Sequence, residues 1–334
     1  MKVLGIETSC DETAVGLVED GELRVNLIAS QVELHERFGG VVPELASRAH
    51  VEALTPLIEE ALDRAGIGFS DLDGVAVTYG PGLVGALLVG IAAAKAVALA
   101  AGVPLIGVNH LEGHIYANHL EHAGPLVPNV CLVVSGGHTM LVHMPEEHRY
   151  HVLGQTLDDA AGEAFDKIAR FLGLGFPGGP ALDRLARVGD PAAISFPRAM
   201  ADSGDYDFSL SGLKTSVLRY VKRERAAGRE PDAADLAASF QEAIVDVQVT
   251  KTLRAAAETG VGTVLLGGGV VANTRLRQRI TAAGEERGIR VLVPSLPLCT
   301  DNGAMIARAG ASRLERGERS DLDLGADPAL ALAG

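Results

Sequence analysis

The chain has no tryptophan, and aromatic residues make up only 4% of it. A core without large rings has to be built from Val, Leu, Ile and Ala, as in layered α/β proteins. Hydrophobic residues reach 47%, enough for a sizeable core. Cysteine is scarce: Cys10, Cys131 and Cys299 stand far apart, form no CxxC pair and are odd in number. That excludes a disulfide framework and points to a reduced, cytoplasmic setting. Positive charge is short as well. With 29 Lys and Arg against 43 Asp and Glu, the net charge is −14, whereas a protein that holds nucleic acid by itself carries a basic face. Two local basic runs stand against that balance, Lys222-Arg223 with Arg225 and Arg229, and Arg275, Arg277 and Arg279. Each alone reads as a solvated helix face. If RNA is a substrate, a partner protein is expected to share its binding. The opening MKVLGIETSCDE turns acidic at once and is read as no signal peptide.

Long apolar runs are also rare. One stretch, Gly82 to Val108, is long enough to raise the question of a membrane helix. Lys95 in its middle, the Gly102 and Pro104 breaks and the lack of basic flanks argue instead for a helix buried between layers, followed by a short strand. No membrane association is expected.

Glycine, by contrast, is abundant, at 40 of 334 residues, and the length favours two domains. KVLGIETSCDETAVGLVEDGELRVNLIAS reads as strand, tight turn, strand, turn, strand. NVCLVVSGGHTMLVHM, from Asn129, repeats that plan. Helical segments follow each: one near 51–65, a strand at 74–78, and in the second half GEAFDKIARFLGL, FPGGPALDRLA, DLAASFQEAIVDVQVTKTLRAAAETG, and VGTVLLGGGVVANTRLRQRI as strand, glycine turn and helix. The expectation is a duplicated α/β fold with domains 1–128 and 129–334, the helix after Asp301 being allowed to pack back on the first. Glycine loops between strands and helices suggest a nucleotide held in a cleft.

NHLEGH places His110 and His114 on one helical face, where they could share a metal. Glu112 stands two residues after the first histidine, so the zinc-protease pattern does not match. Two histidines alone read equally as a polar helix face. A carboxylate would be wanted too, and CTDNGAMIA offers Asp301 at a helix start, where Asp301 or Thr300 could simply be the N-cap. VSGGHT is either a plain turn needing glycine for positive φ or a phosphate cradle from the N–H groups around Gly136 and Gly137, with Ser135 as a further donor. Its counterpart ETSCDET carries Asp11 and Glu12, which could orient or deprotonate an amine, or serve the turn. Asp166 could accept from ribose hydroxyls; Gly178, Gly179, Asp183, Gly268, Gly269 and Asn273 are further candidates.

Seven segments, GIETSCDETAVG, NHLEGH, VSGGHT, GEAFDKIARFLGL with FPGGP, FSLSGLKT, GGGVVAN and CTDNGAMIA, stand in the order found in the universal tRNA threonylcarbamoyladenosine synthases, whose bacterial branch is TsaD. The chain resembles that family over nearly its whole length. The resemblance implies the fold shared by actin, heat-shock ATPases and sugar kinases (ASKHA). It implies transfer of a threonylcarbamoyl group from threonylcarbamoyl-AMP to the exocyclic amine of the adenosine beside the anticodon, in tRNAs reading codons that begin with A. It further implies iron or zinc on His110, His114 and Asp301, and adenylate contacts at Val134, Ser135, Gly136, Gly137, His138, Asp166, Gly179, Asp183 and Asn273. A tyrosine that reaches the metal in archaeal relatives corresponds here to Val133. Expected partners are a TsaB-like paralogue, a TsaE-like ATPase and a TsaC-like supplier of the adenylate, so that the chain alone should bind tRNA weakly. The alternatives are a carbamoyltransferase of the same fold acting on a small molecule, a sugar kinase, a metalloprotease and a non-catalytic nucleotide-binding scaffold.

Overall fold

Apolar alternation in the first thirty residues produces a meander of β1 (Lys2–Glu7), β2 (Glu12–Glu19) and β3 (Glu22–Ser30). In the computed structural model, which describes residues 1–332, both pairings are antiparallel. Asp20 and Gly21, with φ of 53° and 82°, form the β2–β3 turn, where a two-residue hairpin loop needs positive φ. After α1 (Val32–Glu36), α2 runs Pro43–Ala65. The helix read near 51–65 thus begins earlier, because a proline with its fixed φ opens a helix well at its first position. Then come β4 (Gly74–Gly80), α3 (Val84–Ala101), β5 (Leu105–Asn109) and α4 (His110–Tyr116). The sheet order is β3-β2-β1-β4-β5, with β4 and β5 parallel to β1.

The second half repeats this plan. Its strands are β6 (Asn129–Val134), β7 (Thr139–Glu146) and β8 (Arg149–Gln155). Helices α5 (Ala161–Phe171), α6 (Gly178–Ala186), α7 (Ser211–Ala226) and α8 (Ala233–Thr259) precede β9 (Thr263–Gly267), α9 (Thr274–Glu285) and β10 (Arg290–Leu292). The order β8-β7-β6-β9-β10 matches the first sheet strand for strand, in pairing sense as well as position. The duplication read from two weakly similar hairpins is therefore a duplication of the whole sheet.

The chain divides into two compact units, one of 1–124 with 294–332 and the other of 125–293. The return to the first unit begins at Pro294, ahead of Asp301, and carries α10 (Leu296–Cys299) and α11 (Gly303–Glu315). On one face of the first sheet Leu4, Ile6, Val15 and Leu17 form a core with Leu54 and Ile58 of α2 and Leu87 and Ile91 of α3. Helix α3 is long and apolar enough to cross a membrane by length and composition. Here it buries one face only: Val84, Leu88 and Leu99 are each more than half exposed on the other. The expectation of a helix enclosed between layers was too strong.

Gly5 and Gly16 point to the opposite face by strand alternation, and there α11 lies on them. A Cβ on Gly5 would overlap Gly303 O, one on Gly16 would overlap Ala304 N, and one on Gly303 would overlap Gly16 N. Backbone therefore rests on backbone, and this contact sets the position of Asp301, two residues before α11. Gly303→Ala is expected to cost about 1–3 kcal/mol by overpacking. It should also loosen Asp301, so that urea titration shows lower stability and metal analysis shows poorer retention than in the parent protein.

Candidate active site

The NHLEGH segment becomes the end of β5 and the whole of α4. Asn109 accepts from Leu111 N (2.8 Å) and caps the helix. The polar-surface reading fails, because His110 is 6% and His114 0% exposed. The N-cap reading of Asp301 fails too. Asn302 caps α11 by accepting from Met305 N (2.9 Å), and this leaves the Asp301 carboxylate to face the histidines. Asp301 Oδ1 lies 3.5 Å from His110 Nε2 and 3.2 Å from His114 Nε2. The potential ligand atoms of all three residues fall within 4.8 Å of one another.

These residues fit a metal. Neither ring nitrogen of His114 makes a hydrogen bond among the described residues, although the ring is fully buried. Such an unmet polar group costs about 1–3 kcal/mol, which a bound cation would offset. His110 is held differently. Its Nδ1 lies 3.0 Å from Glu7 Oε2 and 3.2 Å from Ser9 Oγ, so a proton on Nδ1 leaves Nε2 turned to Asp301. A carboxylate behind a ligand histidine in this way fixes its tautomer and orientation. Glu7 is fully buried and is tied by Thr78 Oγ1 (2.6 Å) and Ser9 N (2.5 Å). Sequence reasoning missed Glu7. Its signal was a lone carboxylate ending the otherwise apolar strand KVLGIE.

Glu112, the residue that suggests a protease, faces away and pairs with Arg313 (3.4 Å). Asp11 and Glu12 sit at the β1–β2 turn. Glu12 accepts from Ser30 Oγ (3.3 Å). Burial and the charges of Asp301 and Asp11 push the Glu12 carboxyl up to about 9. Burial lowers the pKa of His110, but Asp301 and Glu7 outweigh it and raise it to about 9. Burial raises Glu7, but His110 wins and holds it below the ordinary carboxylate range.

The second unit carries the remaining candidates, and its hydrogen bonds close a ring. Ser135 N donates to His138 O (2.8 Å) and His138 N to Ser135 Oγ (3.1 Å), making a tight turn with Gly136 and Gly137 exposed at its tip. Neither glycine has positive φ, and a Cβ on either would meet nothing within 4 Å. The turn itself therefore does not demand glycine there. Gly162, in the first turn of α5, donates to Ser135 O (3.1 Å) and could not carry a Cβ against Gly136. Further along α5, Asp166 Oδ1 accepts from Gly178 N (2.8 Å) and Gly179 N (3.2 Å), so Asp166 anchors the start of α6. One turn into α6, Asp183 accepts from Thr274 N (3.2 Å) and Thr274 Oγ1 (2.9 Å) at the start of α9. Asn273 caps α9 through Leu276 N (2.9 Å) and donates to Gln241 (2.7 Å). The ring returns through Gly268, whose φ of 97° and closeness to Val134 O both exclude a side chain. Val133 is buried in β6 and offers no ligand atom. Asp166, Asp183 and Asn273, which the family resemblance marks as ligand contacts, also hold helix starts. Gln241, Thr274 and Gly162 join them unannounced.

Two matching five-stranded sheets, each opening on a three-strand meander and followed by helices, define the ASKHA fold class. Comparison with solved structures agrees. HypF of T. kodakarensis superposes with a TM-score of 0.65 at 14% identity, over 95% of this chain and 48% of that one. The (R)-2-hydroxyglutaryl-CoA dehydratase component A of Acidaminococcus fermentans superposes with a TM-score of 0.55 at 16% identity, over 93% and 99%. Both likenesses show the fold alone. Residues 22–308 match the family model "TsaD: tRNA N6-adenosine threonylcarbamoyltransferase". A protein of that name from Geobacillus thermodenitrificans is 57% identical, covering 99% of this chain and 96% of its own. Another from Anaeromyxobacter dehalogenans is 56% identical, covering 99% of each. The chain belongs to the TsaD family of tRNA N6-adenosine threonylcarbamoyltransferases.

Glu7→Gln should weaken metal affinity about 10–100-fold, as loss of such a supporting partner does, measured by competition with a chromophoric chelator. A second expectation concerns pH. The folded metal-free chain keeps a proton on His110 and on Glu12 up to about 9, whereas unfolded His and Glu release theirs near 6.5 and 4.3. Proton release then favours the unfolded chain as pH rises. The melting temperature of the metal-free protein should fall between pH 6.5 and 9. Metal loading should flatten that slope, because the cation replaces the proton.

Proposed function

We propose that this chain takes its threonylcarbamoyl group from threonylcarbamoyl-AMP and places it on the exocyclic amine of the adenosine beside the anticodon, in tRNAs reading codons that begin with A. The transferase activity on tRNA adenosine, an acyl transfer, comes with the family. The observation that carries the finer reading is the convergence of His110, His114 and Asp301 beside the Asp11–Glu12 turn. Iron or zinc held by those three residues would neutralise charge on the substrate oxygens as AMP departs.

The chain's own residues supply the rest. The open tip at Gly136 and Gly137, with the α5 start behind it, offers backbone N–H groups and a favourable helix dipole to the adenylate phosphate. Val134, Ser135 and His138 shape that turn, and Gly179 presents backbone to the nucleoside. Asp166, Asp183 and Asn273 act on the adenylate by fixing the ring that surrounds it. The exocyclic amine is a poor nucleophile, so holding it in line is a main contribution. Glu12 or Asp11 takes the amine proton. Burial is the first cause that keeps Glu12 protonated and the Asp301 charge the second, so neutralising Asp301 moves Glu12 toward the carboxylate form that a base needs.

Partners of TsaB-like, TsaE-like and TsaC-like kind are part of the same reading, as is a cytoplasmic location. The exposed apolar face of α3, with Val84, Leu88 and Leu99, supports a protein partner. The net charge of −14 supports shared tRNA binding.

The test is reconstitution with threonylcarbamoyl-AMP and unmodified tRNA, read by mass spectrometry of the nucleosides. Modification should be slow with the chain alone and fast with its partners. Asp11→Asn combined with Glu12→Gln should lower kcat by about 10²–10⁴-fold, the usual share of a general base, with metal content unchanged. Unimpaired transfer by that variant would remove both residues from the chemistry.

A further inference from the structure

The two basic runs of the sequence part company in the fold. In α9, Arg275 pairs with Glu242 (2.6 Å), Arg279 pairs with Glu242 and Asp246, and Arg277 donates to Val271 O (2.7 Å). That run is spent on α8 and on its own helix start. The α7 run is not. Arg225 and Arg229 are taken by Glu230 and Glu224, but neither Arg219 nor Lys222 has an acidic partner among the described residues, and both are exposed. Arg223 leans over the Tyr220 ring (5.2 Å) and shares Glu224 with Arg229.

Arg219, Tyr220 and Arg223 line one wall of an open groove of about 700 Å³. Ser195, Phe196 and Ser216 add hydroxyls and a second ring, which stands edge-on to Tyr220 at 5.9 Å. Phe196 is buried and backs the half-buried Tyr220, and cations for phosphate beside such an aromatic ring are what a flexible single-stranded nucleic acid engages. In a chain of net charge −14, Arg219 and Arg223 on the groove wall, with Lys222 exposed on the same helix, lower the electrostatic cost of approach by a polyanion there.

The groove is also tied to the adenylate turn. Asp158 accepts from Ser209 Oγ (2.6 Å), Leu210 N (2.7 Å) and Ser211 Oγ (2.7 Å), pinning the start of α7. The next residue, Asp159, faces Lys214 of α7 (3.5 Å) and Lys167 of α5 (2.7 Å). Helix α5 in turn begins against Ser135. Basic helix and phosphate turn therefore share one clamp.

We infer that the α7 groove, through Arg219, Tyr220 and Arg223, with Lys222 exposed on the same helix, is the surface of the second unit that grips the tRNA phosphate backbone while the acceptor adenosine is presented for transfer. This rests on the tRNA reading above. The test compares the parent chain with Arg219→Ala/Lys222→Ala/Arg223→Ala and, as a lighter change at an unpaired site, Arg219→Glu. Two quantities are read: tRNA affinity against salt, and steady-state transfer with partner proteins present. The triple variant should raise KM for tRNA at least tenfold with kcat little changed. Its slope of log affinity against log salt should shrink by about 2, since each single-strand phosphate no longer neutralised removes about 0.7. Binding of AMP to the chain should stay as in the parent. If the parent modifies tRNA and both variants match it in KM and salt slope, the surface is wrong and the tRNA reading stands. If the parent, fully supplied, modifies no tRNA, the reading itself falls and the surface with it. If AMP binding falls in step with tRNA affinity, the groove belongs to the nucleotide and the inference is overturned.

Discussion

The site of the first unit hangs on one close approach, that of α11 to the hairpin of β1 and β2. Gly5, Gly16 and Gly303 let backbone lie on backbone there. The consequence is felt at both ends of the contact. The end of β1 and the turn to β2 carry Glu7, Ser9, Asp11 and Glu12, and Asp301 stands two residues before α11. Without this packing, a carboxylate from the far end of the sequence would have no fixed relation to His110 and His114. Capping completes the arrangement. Asn302 caps the helix start, while the Asp301 carboxylate lies against the histidines.

The second unit uses the same strand order for a different purpose. Where the first hairpin turn holds acids next to imidazoles, the second holds open backbone. Its carboxylates and amides are occupied with helix starts: Asp166 at α6, Asp183 and Asn273 at α9. Anchoring N-terminal N–H groups in this way fixes the helix starts relative to the hairpin turn.

Much of this was legible in the residues. Period-two alternation broken by Asp-Gly and Gly-Gly turns gave both hairpins, and the glycines after α5 and α8 marked helix ends that the structure places at Phe171 and Thr259. Local pattern carried less about the start of α2, where the run from Pro43 to Ala49 lacks a clear apolar period. It carried nothing about which face of α3 would be covered, since every position there is apolar or small apart from Lys95. The pair His110 and His114 could be seen as one face of a helix, but Asp301 joins them only through tertiary packing, which spacing does not encode. Glu7 was visible as an acid in an apolar strand, yet its role needs the strand's neighbours. Asp166, Asp183 and Asn273 were rightly singled out as unusual. That they hold helix starts could not be read, because a side chain that caps a helix and one that meets a ligand have the same composition.

The glycines of the second hairpin separate two kinds of constraint. Gly268 is dictated from within: its torsion and the carbonyl of Val134 both forbid a larger residue. Gly136 and Gly137 are under no such compulsion, having ordinary torsions and empty space beside them. A methyl group added at the tip would meet no neighbouring atom of the chain. The hairpin tip is thus a place where a side chain can be introduced while the scaffold is left alone.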